Sequence, residues 1–261
     1  RIVDTAAMAV TATITDVPEP YRVSVADRAY VSSASDSDDA VVAIDTTTGR
    51  ALAATIVDET AAGIAVNPAG DVLYVGRNGD EVVDIAAIDV ETGATRVIEL
   101  TTAPGASVDA IRVSADGTKV FAAVTTPAGG SLAIIDTRSG AVQRTAALGG
   151  SIGDIAVAPR GRKVFVTGWD AELGGVIHVV DAAAARLIDT VALGGLPTQL
   201  VFGRGGDIAF VVDRDQIVVV QETEYTGAGK HHNRQLSFAR ENGIEVRFGD
   251  PKDNVPGKVI V

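Results

Sequence analysis

The sequence predicts an all-β fold, a β-propeller of four-stranded antiparallel blades, on three observations. A strand-terminal aspartate recurs at Asp4, Asp45, Asp89, Asp136 and Asp181, at spacings of 41, 44, 47 and 45 residues. An aromatic residue opens the preceding strand at Tyr30, Tyr74, Phe121, Phe165 and Phe210, spaced 44, 47, 44 and 45. Between these markers, apolar residues alternate or run in short stretches punctuated by Gly, Asp and Ser, which is strand rather than helix patterning. Two independent markers sharing one period in the forties, with four strands per period, are the signature of a propeller blade.

Taken in order, residues 1–15 supply only the third and fourth strands (C and D) of a blade: Ile2-Val3-Asp4, then Val10 to Thr15. The repeat is clearest at residues 108–148. Strand A runs from Val108 to Val113, turns at Ala115-Asp116-Gly117, and strand B runs from Lys119 to Val124. Strand C (Ser131 to Asp136), a turn at Arg138-Ser139-Gly140 and strand D (Val142 to Leu148) complete it. The next cassette repeats the pattern, with strand A at Ile152 to Val157, a Pro159-Arg160-Gly161 turn and strand B at Lys163 to Thr167. Ala182 to Ala185 tempts a helical reading, but the register places it in a C–D turn. A degenerate strand C falls at Gln216 to Gln221.

From Gln221 to Asn242 the chain departs from the repeat, and the register makes this an enlarged C–D hairpin with Gln235 to Ala239 as its outer strand. Long loops on rigid scaffolds often carry function. Beyond it, Gly243 to Phe248 and Lys258 to Val261 read as strands A and B. Beside Ile2-Val3 they would complete one blade from both chain ends and close the ring, leaving no open sheet edge. Six strand C copies then give six blades in one domain spanning 1–261.

Composition limits the function. The net charge of −12, from 34 acids against 22 bases, opposes binding to a nucleic-acid backbone. Cysteine is absent, so neither disulfides nor thiol chemistry enter. No run of about 18 apolar residues is present to span a membrane. Position 1 is Arg and no signal peptide precedes it. The chain is therefore expected to be a processed or trimmed piece of a longer protein.

Familiar catalytic motifs fail on context. Gly149-Gly150-Ser151-Ile152-Gly153 fits the spacing of a nucleophile elbow, but a strand follows where that motif needs a helix. Gly229-Lys230 lacks the earlier Gly and the following Ser or Thr of a phosphate loop; Glu224 and His231 stand there. Trp169-Asp170 occurs once, after strand B, so it does not mark a WD40 blade. Trp169 suits either ligand stacking or packing on a neighbouring blade. His178 reads as a satisfied sheet residue. His231 and His232 lack the further ligands a metal site needs.

Topology selects the candidate site. In a four-stranded antiparallel blade the B–C and D–A connections emerge at the same end. The B–C connections contribute Asp36, Asp38, Asp39, Asp80, Glu81, Asp170, Glu172, Asp213 and Asp215, and a D–A connection adds Asp58 and Glu59. Hard oxygen donors of this kind suit Ca²⁺, so Asp36, Asp38, Asp39, Asp80 and Glu81 are the candidate metal ligands. Asp58, Glu59, Trp169, Asp170, Glu172, Asp213 and Asp215 are the candidate partner contacts. The repeat-end aspartates have a structural role, their carboxylates accepting backbone N–H groups within a turn.

Tyr-Val at the head of strand B (Tyr30-Val31, Tyr74-Val75), the strand C pattern of Val41 to Thr46 and Leu132 to Thr137, and Ala65 to Gly70 closing strand A resemble the YVTN family of β-propeller repeats. The likeness covers roughly residues 1–220. It implies an extracytoplasmic or envelope-associated propeller used for binding, with lactonase-type enzymes as distant relatives. Related repeats often form seven-bladed rings, so a segment lost near residues 222–242 would raise the count to seven. The expected function is a non-catalytic binding or scaffold module, without an organic cofactor, recognising a protein or envelope component through its acidic face. A metal-dependent lactonase-like hydrolase and a sensor domain of a larger envelope protein are the alternatives.

Overall fold

The structure is a computed structural model that describes residues 1–33, 39–57, 60–144, 147–159, 161–193, 195–203, 208–213, 216–223 and 235–240. A hairpin of β1 (Ile2–Asp4) and β2 (Ala9–Ala12) comes first. Among the described residues five four-stranded antiparallel sheets follow, each with its strands in sequence order. Blade 1 is β3 (Pro20–Val25), β4 (Ala29–Ser33), β5 (Asp39–Ile44) and β6 (Ala51–Val57). Blade 2 is β7 (Thr60–Val66), β8 (Val72–Asn78), β9 (Val83–Asp89) and β10 (Thr95–Thr101). Blade 3 is β11 (Ser107–Val113), β12 (Lys119–Thr126), β13 (Gly129–Asp136) and β14 (Val142–Arg144). Blade 4 is β15 (Ile152–Val157), β16 (Lys163–Asp170), β17 (Gly174–Asp181) and β18 (Arg186–Ala192). Blade 5 is β19 (Pro197–Phe202), β20 (Ile208–Asp213), β21 (Gln216–Thr223) and β22 (Gln235–Arg240).

The chain divides into two compact units, residues 1–128 with 132–144, and residues 129–131 with 145–261. The sixth blade expected from Gly243 to Phe248 and Lys258 to Val261 falls outside the described residues. Ala182 to Ala185 is a turn, as the register requires.

Sidedness within a blade decides where the core lies. In the first unit, Tyr30, Val41 and Val57 of blade 1 pack with Ile64, Val66, Leu73 and Val75 of blade 2. One step on, Tyr74, Ile85 and Ile98 of blade 2 pack with Ile111, Val120 and Ile135 of blade 3. In the second unit, Phe165, Ile177 and Val191 of blade 4 meet Leu200, Val211 and Val218 of blade 5. The strand B aromatics Tyr30, Tyr74 and Phe165 each press on the next blade. Phe210 and Ile217 of blade 5 are exposed, whereas their counterparts in the other blades are buried.

One turn recurs in the β1–β2 hairpin and at the C–D junctions of blades 1 to 4. The repeat-end aspartate accepts backbone N–H groups: Asp45 from Thr47 and Thr48 at 2.8 and 2.9 Å, and Asp181 from Ala183 and Ala184 at 2.9 and 2.8 Å. Four residues after the aspartate the backbone turns left-handed, at Gly49, Gly93 and Gly140 with φ of 68°, 72° and 75°. Glycine bears that conformation without a Cβ clash. Met8 and Ala185 occupy the same place with φ of 49° each.

Candidate recognition face

The antiparallel order of each blade brings its B–C connection and the following D–A connection to one end. In the first unit, the β8–β9 hairpin carries Asp80 and Glu81 at its tip, both exposed. Below the tip, Arg77 and Asp84 sit opposite one another across the strands. The Arg77 guanidinium donates to both Asp84 oxygens at 2.7 and 2.8 Å, and both side chains are largely buried. This pair is absent from the sequence-derived set. Its one signal there was a seven-residue separation across a short polar hairpin.

Several polar side chains at this end tie one blade to the next. Asp39, a candidate metal ligand, is the first residue of β5, and its Oδ2 accepts the Ala61 N–H of blade 2 at 2.9 Å. Asn78 Oδ1 accepts the Val108 N–H of blade 3 at 2.7 Å. In the second unit, Asp154 Oδ2 accepts the Leu200 N–H at 3.1 Å. Asp213, expected among the partner contacts, is buried at the end of β20, and its carboxylate accepts the Leu196 N–H. Its surroundings are those of a loop anchor.

Trp169 and Asp170 end β16 rather than lying in a loop beyond it. Asp170 Oδ1 accepts the N–H groups of Leu173 and Glu172 at 2.9 Å each, and these bonds hold its carboxyl below the usual carboxylate value. Glu172 is exposed on the turn. Trp169 is 43% exposed, so it does not bury itself against a neighbouring blade. Its backbone is fixed by bonds to Ser151 O at 2.9 Å and from Gly150 N at 3.0 Å. Its cross-strand partner is Gly175, which packs close to the Gly195 carbonyl and Pro197 in the loop that also exposes Leu196.

His178 is buried beneath this hairpin. Its Nδ1 pairs with Thr190 Oγ1 at 3.0 Å, but its Nε2 has no hydrogen-bond partner. It is thus half satisfied, where a fully satisfied sheet residue was expected. Burial holds its pKa below the ordinary histidine value, against the opposing pull of the Leu148 carbonyl and the Asp170 carboxylate.

Asp36, Asp38, Asp58, Glu59, Asp215, His231 and His232 lie outside the described residues. Among the described residues, no group of three or more His, Asp or Glu side chains is placed to hold a metal ion. No helix there is long and apolar enough to cross a membrane.

No family model matches the chain. It is similar to a seven-bladed β-propeller protein of Mycobacterium tuberculosis, 29% identical over 255 residues that cover 84% of this chain and 65% of that relative. The chain thus spans less than two thirds of that relative's length. A shorter likeness, 61% identical over 54 residues, links 21% of this chain to 12% of the 2-amino-4-ketopentanoate thiolase beta subunit of Acetoanaerobium sticklandii. Among solved structures, the β-propeller domain of Cps50 (Swd1) from Myceliophteria thermophila superposes with a TM-score of 0.66 at 12% identity, covering 95% of this chain and 88% of that one. Hydrazine synthase of Kuenenia stuttgartiensis gives 0.65 at 16% identity, covering 94% and 70%. At these identities the structural likeness speaks for fold alone, and the fold is that of a β-propeller.

Proposed function

We propose that this β-propeller, of YVTN repeat type, is a non-catalytic binding or scaffold module of the cell envelope or extracellular space. It recognises a protein or envelope component through the B–C and D–A end of its blades. The observation that carries the reading is Trp169, a large amphipathic side chain left 43% exposed on a hairpin whose backbone is pinned from both sides. Exposed Glu172, Leu173 and Leu196 add charge and apolar area in the same unit. Rigid aromatic residues in such settings are the usual anchors of protein recognition. The described acids argue less for hydrolysis, because Asp39, Asp170 and Asp213 are each engaged by backbone N–H groups.

The test uses the chain as immobilised bait against envelope and secreted fractions, beside Trp169→Ala and Glu172→Lys. Retention of a discrete partner by the parent chain, lost in both variants at unchanged melting temperature, supports the reading. A partner held equally by all three baits places recognition elsewhere and overturns the role of this hairpin.

A further inference from the structure

The β1–β2 hairpin repeats the C–D half of a blade in full register. Asp4 Oδ1 accepts the Ala6 and Ala7 N–H groups at 2.8 and 2.9 Å, as the other repeat-end aspartates do in their turns. Met8, four residues on, takes the left-handed conformation found at Gly49, Gly93 and Gly140. The hairpin also sits where a preceding blade belongs. A Cβ added at Gly49, in the C–D turn of blade 1, would stand 3.5 Å from Ile2 Cδ1 and 3.7 Å from Ala12 Cβ. A Cβ at the matching Gly140 of blade 3 would stand 3.5 Å from Arg96 Nη1, on strand D of blade 2.

The inner half of such a blade is absent among the described residues, and the consequence is local. Among the described residues β1 pairs only with β2, so one edge of β1 has no partner strand among them. On β3, Val23 is 64% exposed, whereas its repeat counterparts Ile64, Ile111, Ile155 and Leu200 are 0–4% exposed. Val25 and Tyr21 are exposed beside it. In blade 2 the corresponding Ile64 and Val66 are covered by Tyr30 and Val41 of the blade before.

We propose that the free edge of β1 and the β3 face of blade 1 together form the seat of an A–B β-hairpin of this same repeat. Its strand B pairs antiparallel with β1. Its aromatic residue and the first half of strand C cover Val23 and Val25, as Tyr74 and Ile85 cover Ile111 one blade further on. An unpaired edge beside an apolar face favours added strands over a globular partner, because only a strand satisfies the edge N–H and C=O groups.

The register specifies the experiment. A copy of residues 60–85 fused directly ahead of Arg1 puts Arg1 to Asp4 in the places that Ala86 to Asp89 hold in blade 2. This fusion is expected to raise Tm by about 5 °C, a few times the shift one kcal/mol makes in a chain of this size. It should also slow amide exchange in β1 and β3 and reduce binding of an apolar dye. A fused scrambled segment should do none of these, and Val23→Asp within the fusion should reverse them. An unchanged Tm, or a gain that survives Val23→Asp, overturns the proposal. The unaltered chain gives an independent reading should the fusion fail to fold. There Val23→Asp is expected to leave Tm within about 2 °C, as surface changes do; a large loss would mean that the face is already covered, and would overturn it too.

Discussion

Asn78 closes strand B of blade 2 and holds the first strand of the next blade, its Oδ1 accepting the Val108 N–H at 2.7 Å. Val108 is fully buried, so water cannot replace that acceptor. Asn78→Ala should therefore destabilise the chain by about 1–3 kcal/mol, the usual cost of a buried donor left unpaired. Asn78→Asp keeps an oxygen at the same reach and should lose less. Urea unfolding of the three proteins decides the order, and an alanine variant as stable as the parent would remove Asn78 from the inter-blade linkage.

Ala185 stands at φ 49° where the C–D turns of blades 1 to 3 place glycine. A left-handed L-residue costs roughly 1–2 kcal/mol, part of which glycine returns through its greater freedom when unfolded. Ala185→Gly should raise stability by about 0.5–1 kcal/mol on those figures. Ala185 is also buried, so a loss of stability in the melt would mean that its methyl packing outweighs the backbone strain.

The Arg77–Asp84 pair is largely buried, with side chains 13% and 5% exposed. Asp84→Ala leaves a guanidinium without its carboxylate and should cost about 3–5 kcal/mol. Replacing both with apolar residues, as in Arg77→Met with Asp84→Leu, should recover much of that loss. A double variant as unstable as the single one would show that Arg77 has other work in this blade.

Acid should act on the chain in two windows. Asp4, Asp45, Asp89, Asp136 and Asp181 all titrate below the usual carboxylate value. The dominant donors are Ala7 N–H, Thr48 N–H, the Thr92 hydroxyl, Ser139 N–H and Ala184 N–H respectively. Their contribution is complete above the ordinary value of about 3.9 and is lost as pH falls through the lower folded values. Buried His178 has a lowered pKa, so below about 6.5 the unfolded chain takes up a proton that the folded chain refuses, and stability already declines there. His178→Val should flatten the upper window, and Asp→Asn at 45, 89, 136 and 181 the lower one. Denaturant midpoints measured from pH 7 to pH 3 separate the two.

The blade was legible because its markers are local. An aspartate that turns the chain, an aromatic at the head of strand B and a period-2 apolar pattern recur whatever lies nearby. The candidate site was legible only in part. Loop position placed Asp80, Glu81 and Glu172 in solvent, and they are there. Asp213 belongs to the same class of loop-end acid yet is buried on Leu196 N–H. Nothing in the residue type distinguishes those outcomes.

By itself, then, the sequence determined the four-stranded unit, its order and its turn chemistry, since each depends on contacts between strands that follow one another directly along the chain. Tertiary structure alone decided which acids are anchors, that Arg77 meets Asp84, that Trp169 stays exposed, and that Val23 is open while Ile64 is covered. Burial is fixed by the neighbouring blade, and that neighbour's fit is a relation across a full period that no local pattern encodes.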